Sequence, residues 1–247
     1  MPHQVGGCAQ GDPLAWLARC GLFPYSIAVS PFLEQTWAIV AKDIRSELRT
    51  KDIFTSLLLF SLLVLVVFSF AFEPGTQSTR QATPGLLWVA FIFAGVLGLN
   101  RAFTIEKDRG SLEGLLLCPA DRATIYWGKL VSSLMLMLAM EVLVFPLFAI
   151  FFNLQLWLPE LIIIAPLGTL GFVAVGTLFS AIAVHTRARE FMLPLLLFPV
   201  LVPVVIAAVE STRTALDKGV LSGSWLPMLL AFDVLFLAVS SLGFEFV

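Results

Sequence analysis

The chain has 247 residues, 59% of them hydrophobic and 13% charged, a net charge of −2 and a mean hydropathy of +0.95. Soluble globular domains are about 45–50% apolar and about 25% charged, so this composition falls outside them and indicates an all-α polytopic membrane protein. The charge balance offers no basic field for nucleic acid, and Cys8, Cys20 and Cys118 have neither paired metal-ligand spacing nor the even count of a disulfide framework.

Residues 1–31 are rich in glycine and proline and lack a basic stretch followed by an apolar core, so no cleavable signal is evident. They are read as disordered or as an upstream start-site artefact, leaving 32–247 as one membrane domain. Residues 32–52, FLEQTWAIVAKDIRSELRTKD, place Trp37, Val40, Ile44 and Leu48 at three- and four-residue steps, with Lys42, Arg45 and Arg49 largely elsewhere around the helix. The pattern predicts an amphipathic helix too charged to span. It is expected to lie along the cytoplasmic face, with Trp37 at headgroup depth and its cations toward anionic lipid. The alternative is a short soluble helix packed on the bundle.

Six stretches then reach the roughly 20 apolar residues that a transmembrane helix needs: 53–72, 85–104, 130–152, 161–184, 191–209 and 226–246. Three connections carry Arg80, Arg213 and Lys218, whereas the opposite side carries eleven cations, among them Lys42, Arg45, Arg49, Lys51, Arg101, Arg122 and Lys129. The positive-inside rule places both termini in the cytoplasm.

Two carboxylates fall inside spans, Glu141 in the third and Asp233 in the sixth. Such groups are costly in hydrocarbon and are candidates for a polar site by default. Glu141 has two readings: a translocation path or a dimer contact, or a hydrogen-bonded carboxyl facing a neighbouring helix. Asp233 is read as structural and as near enough to its helix end to approach water. Pro146, Pro166, Pro194, Pro199 and Pro203 permit kinks or breaks. An intramembrane enzyme would need a nucleophile with its base, paired carboxylates or metal ligands at helical spacing. The histidines, His3 and His185, lack placed partners, and no Gly-rich phosphate loop is present, so no catalytic residue, metal site or directly bound nucleotide is expected.

The most informative segment separates the second and third spans: RAFTIEKDRGSLEGLLLCPADRATIYWGK, residues 101–129. Leu112, Leu115 and Leu116 share one face of a short helix that Ser111 caps and Pro119 ends. Glu106, Lys107, Asp108 and Arg109 keep its approach in water, and Gly110 and Gly114 allow another backbone near. Either this apolar knob docks on a soluble partner or it packs on its own bundle.

The pattern of Glu106, Gly110, Ser111, Leu112, Glu113, Leu115, Leu116, Pro119, Gly128 and Lys129 resembles the coupling-helix region of type-2 ABC exporter permeases. Within that group, WVAFIFAGVLGLNRAF, LLLCPADR and AKDIRSELRTKD resemble the CcmB family of cytochrome c maturation, the heme exporter B proteins. The resemblance runs from about residue 32 to the C-terminus and is strongest over 88–129. It implies a six-helix permease subunit in the bacterial inner membrane that forms a homodimer and couples to a CcmA-like ATPase beside CcmC-like and CcmD-like proteins. ATP would act through that partner, with heme as a handled ligand. Under this reading Leu112, Leu115 and Leu116 fill the ATPase cleft, and Glu106 and Glu113 orient the contact.

Heme iron is usually held by His, Met, Cys or Tyr, and no histidine falls inside a span. Met135, Met137 and Met140 lie in the third span, where packing is the ordinary role of methionine. The expectation is that heme is not ligated along a path through this subunit and that ATP-driven motion releases a heme-loaded chaperone. The alternatives are a type-2 permease for a drug, lipid or polysaccharide, and a non-transporting scaffold for a heme-handling complex.

Overall fold

The computed structural model describes residues 31–73, 75–108, 122–152, 159–183, 186, 189–218 and 224–244. They form seven helices: α1 (Pro31–Thr50), α2 (Asp52–Ala71), α3 (Gln77–Asp108), α4 (Arg122–Phe152), α5 (Pro159–Ala183), α6 (Arg189–Lys218) and α7 (Trp225–Phe244). Each of α2 to α7 holds a segment long and apolar enough to cross a bilayer. Helix is what hydrocarbon demands, because every backbone N–H and C=O must find its partner within the segment.

Three helices are longer than their apolar stretches. At a rise of about 1.5 Å per residue, α3, α4 and α6 reach about 45–48 Å and outrun a hydrocarbon core of about 30 Å. The start of α3 moves back to Gln77 because Thr76 caps it, accepting the Thr79 N–H at 3.3 Å while its own hydroxyl reaches the Glu73 carbonyl at 3.1 Å. Residues 77–84 are therefore helical rather than part of a connecting loop, with Arg80 on the helix. Similarly, α6 continues past 209 through Glu210 and Arg213, which pair at 2.7 Å. The helices containing Pro84, Pro146, Pro166, Pro194, Pro199 and Pro203 run unbroken through them.

The bundle is built around α3 and α5. About two-thirds or more of their apolar windows is buried, 67% and 72%, against 17–33% in α2, α4, α6 and α7. Between α3 and α5, Trp88 lies over Gly168 and Leu99 over Gly176, where any Cβ would collide with the facing side chain. These pairs advance together along both helices, so α3 and α5 run parallel. By contrast, Leu57 against Gly98 and Phe60 against Phe93 set α2 antiparallel to α3, and Trp88 with Thr212 and Phe93 with Phe198 set α6 antiparallel to α3. Successive spans thus alternate in direction, as crossings of one bilayer require. The outward faces of α2 and α7 are apolar, with Leu59, Leu63, Phe70, Val234 and Leu242 exposed for lipid to cover.

Trp88 closes the core. Its indole N–H donates to Thr212 Oγ1 at 3.0 Å, and that hydroxyl donates to the Ala208 carbonyl at 2.8 Å. Trp88→Ala should therefore cost about 3–5 kcal/mol through the cavity it leaves, and Trp88→Phe about 1 kcal/mol plus the lost ring volume. Unfolding by sodium dodecyl sulfate in mixed micelles measures both, and equal costs for the two variants would place the stabilisation in the hydrogen bond instead of the packing.

Candidate functional site

The expected coupling residues Gly110, Ser111, Leu112, Glu113, Leu115 and Leu116 lie outside the described residues, as do residues 1–30; Glu106 falls in the last turn of α3. What the structure does place are the two roots of that segment, the end of α3 at Asp108 and the start of α4 at Arg122, with α1 packed along α4.

Around its axis α1 presents three arcs. Ile39, Val40 and Glu47 are buried, with Asp43 mostly covered beside them. Leu33, Trp37 and Leu48 form an exposed apolar arc, Trp37 retaining 59% of its surface. Lys42, Arg45 and Arg49 occupy the exposed cationic remainder. Of the four apolar positions in the amphipathic pattern, Val40 is buried and Ile44 half-buried, whereas Trp37 and Leu48 face outward. The polar contacts that dock the helix come from its acidic residues, Asp43 and Glu47, beside Ile39 and Val40.

Asp43 is the centre of that docking. One carboxylate oxygen accepts from Lys129 Nζ at 2.8 Å and from the Ser132 hydroxyl at 3.1 Å, and the other lies 3.2 Å from Lys42 Nζ. The Lys129 side chain is 6% exposed, and its ammonium sits 5.9 Å from the centre of the Phe103 ring on α3. Gly128 makes this approach feasible, because a Cβ there would come within 2.7 Å of Ile39 Cγ2. The Gly-Lys pair at 128–129 is thus explained locally: glycine admits α1, and lysine takes its carboxylate. Four residues along α1, Glu47 serves the next helix. Its carboxylate accepts the Phe54 N–H at 2.8 Å, satisfying one of the orphan donors at the start of α2. Between them Lys51 turns the chain with a positive φ of 58°.

The intramembrane carboxylates sit deeper and on different sides of α5. Glu141 is buried, and one of its oxygens accepts a hydrogen bond from the Thr169 hydroxyl of α5. Of its two sequence readings, the geometry matches the carboxyl that faces a neighbouring helix. Asp233 was expected to approach water; instead it is 2% exposed, packed on Gly171 of α5, and neither oxygen has a hydrogen-bond partner among the described residues. The reason is that α7 turns this face toward α5, where the close approach at Gly171 covers the carboxylate. The two carboxylates do not form one site.

Nor do the methionines converge. Met135 is 43% exposed, Met137 packs toward Gly95 and Phe172, and Met140 accepts the Ser61 hydroxyl of α2 at 3.5 Å. A cavity lined by Trp88, Met137, Thr169 and Phe172 has room for about 10 Å³, a single water molecule. Among the described residues no group of three or more His, Cys, Asp or Glu is placed to hold a metal ion.

Sequence reasoning missed Asp43, Glu47 and Thr169. The first two had a usable signal: with Ile39 they recur every four residues on an arc that the apolar pattern leaves out. Thr169 had none.

Six apolar helices joined by buried polar contacts define a multi-pass helical membrane protein. The family model described as CcmB protein matches residues 34–245, and the chain belongs to the CcmB family. It is 29% identical over 196 residues to heme exporter protein B of Pseudomonas aeruginosa, covering 78% of this chain and 88% of that protein. Heme exporter protein B of Paracoccus denitrificans is 30% identical over 188 residues, 71% and 81% of the two chains. The relative from Rhodobacter capsulatus is 29% identical over 180 residues, with the same coverage. The family match takes in nearly all of α1 as well as the six apolar helices.

Gly128→Val should push Ile39 aside and loosen α1 from α4, speeding limited trypsin cleavage after Lys42, Arg45 and Arg49. Ile39→Ala in the same chain makes room for the valine and should slow the cleavage again. Thr169→Val removes the donor to Glu141 and should cost about 1–3 kcal/mol, as for a buried polar group that loses its partner. Thermal unfolding in detergent checks this, with Thr169→Ser expected to retain most of the stability.

Proposed function

We propose that this chain is the permease subunit of an ABC complex in cytochrome c maturation, embedded in the bacterial inner membrane with both termini in the cytoplasm. The observation that carries this reading is the CcmB family match over residues 34–245. Its relatives are named heme exporter protein B, and heme is accordingly the ligand the complex handles. The chain performs no catalysis. ATP is hydrolysed by a separate CcmA-like subunit, whose closure is received at the Leu112, Leu115 and Leu116 face, with Glu106 and Glu113 orienting the contact. The subunit works as a homodimer beside CcmC-like and CcmD-like proteins.

Several features support the finer points. Alternating helix directions put Lys42, Arg45, Arg49, Arg101, Arg122 and Lys129 at one end of the bundle, and Arg80 and Arg213 at the other. The cation-rich end is the cytoplasmic one. There the exposed apolar arc of α1 enters the headgroup layer around Trp37, and Lys42, Arg45 and Arg49 meet anionic lipid. Among the described residues Met135, Met137 and Met140 point apart, and this reading assigns the subunit motion instead of a heme path. That motion releases a heme-loaded chaperone from the neighbouring complex. Glu141 and Asp233 join α4 and α7 to α5 in this scheme instead of contacting cargo.

Deleting the gene should abolish heme attachment to c-type cytochromes whose apoproteins are still made, and wild-type chain should restore it. Leu115→Asp should not restore it and should lose the ATPase subunit on purification, because a charge buried without a partner opposes docking. Unchanged heme attachment after deletion would instead leave a type-2 permease for another cargo.

A further inference from the structure

We infer that Lys129 is a positioning residue that holds the two roots of segment 109–121 at a fixed spacing and passes displacement of that segment to α1 through Asp43. The inference rests on the proposed coupling role of the segment. Its geometry comes from one ammonium group. Lys129 Nζ contacts three elements at once: its own α4, the Phe103 ring on α3 at 5.9 Å and Asp43 of α1 at 2.8 Å. Phe103 lies five residues before the end of α3, and Lys129 seven residues after the start of α4, both on uninterrupted helix. At about 1.5 Å per residue, Phe103 lies about 8 Å along α3 from its root and Lys129 about 11 Å along α4 from its own. Both stretches are continuous helix, so displacement of either root bears on the Lys129 contacts.

Stability does not explain the group. A buried ion pair contributes about as much as apolar side chains of the same volume would, or less, and a methionine would fill this place between Phe103 and α1. What a charge pair adds is fixed geometry: Asp43 accepts from Lys129 and Ser132 together, and so registers α1 against the second and third turns of α4. From Asp43 the connection continues to Glu47, one turn on, which holds the start of α2. The last turns of α3, the start of α4, α1 and the first span are thereby joined in one chain of contacts.

The test uses the whole complex, comparing Lys129→Met, Lys129→Arg, Asp43→Asn and the exchange Asp43→Lys with Lys129→Asp. Two quantities are read: copurification of the CcmA-like ATPase, and heme attached to c-type cytochromes. Lys129→Met should retain the ATPase but lower heme attachment at least about tenfold, within the range of an ordinary coupling energy. Lys129→Arg should keep most of the attachment, and the exchange should restore much of what Lys129→Met loses. A merely structural pin would move yield and ATPase recovery together and would leave no such split. Full heme attachment in Lys129→Met, loss of the ATPase in that variant, or an exchange that accumulates without restoring attachment each overturns the inference. Should Lys129→Met fail to accumulate, Asp43→Asn decides, because asparagine still accepts from Lys129 while removing the charge. Retention of the ATPase by Leu115→Asp would overturn the proposed coupling role itself, whatever Lys129 does.

Discussion

Inside a bilayer, apolar side chains gain nothing by leaving lipid for protein, so helices associate where their surfaces fit closely. The contact of α3 with α5 is built on that constraint. Trp88 sits over Gly168 and Leu99 over Gly176, a large side chain from one helix filling the space a glycine leaves on the other. Everything else is arranged around this pair: α2, α4, α6 and α7 each pack on one or both central helices, and α1 attaches to α4 at one end.

Polar groups supply the specificity that packing alone lacks. Trp88 with Thr212 fixes α3 against α6, Tyr126 with the Ala174 carbonyl fixes α4 against α5, and Glu141 with Thr169 does so again five residues away on α5. Contacts of this kind contribute about 0.6 kcal/mol each in membrane proteins, but each is satisfied in one register alone. Asp233 differs from these: it lies against Gly171 of α5 with both oxygens unmatched among the described residues, whereas Glu141 leaves one of its two so.

The six spans were legible because twenty apolar residues in a row leave few alternatives, and the elements appear in the expected order. Their ends were less so. Hydropathy registers composition, whereas α3 begins where Thr76 caps it and α6 ends past a Glu210–Arg213 pair, both set by hydrogen bonding among polar residues. The amphipathic character of α1 was equally plain, but three arcs were compressed into two. Trp37 and Leu48 face outward in the fold, while Asp43 and Glu47, which the apolar pattern leaves out, are turned inward. Pairings such as Glu141 with Thr169 cannot be read from one sequence, since nothing local to either residue names the other.

Glu47 has a bearing on how the molecule is made. The hydrogen bond from Phe54 to its carboxylate closes the elbow between α1 and α2 across seven residues, and the turn at Lys51 lies between them. No later span contributes to that hydrogen bond. This elbow is therefore encoded in a stretch of chain that emerges from the ribosome before α3 exists, whereas the seat of α1 on α4 waits for Lys129 and Ser132 to follow.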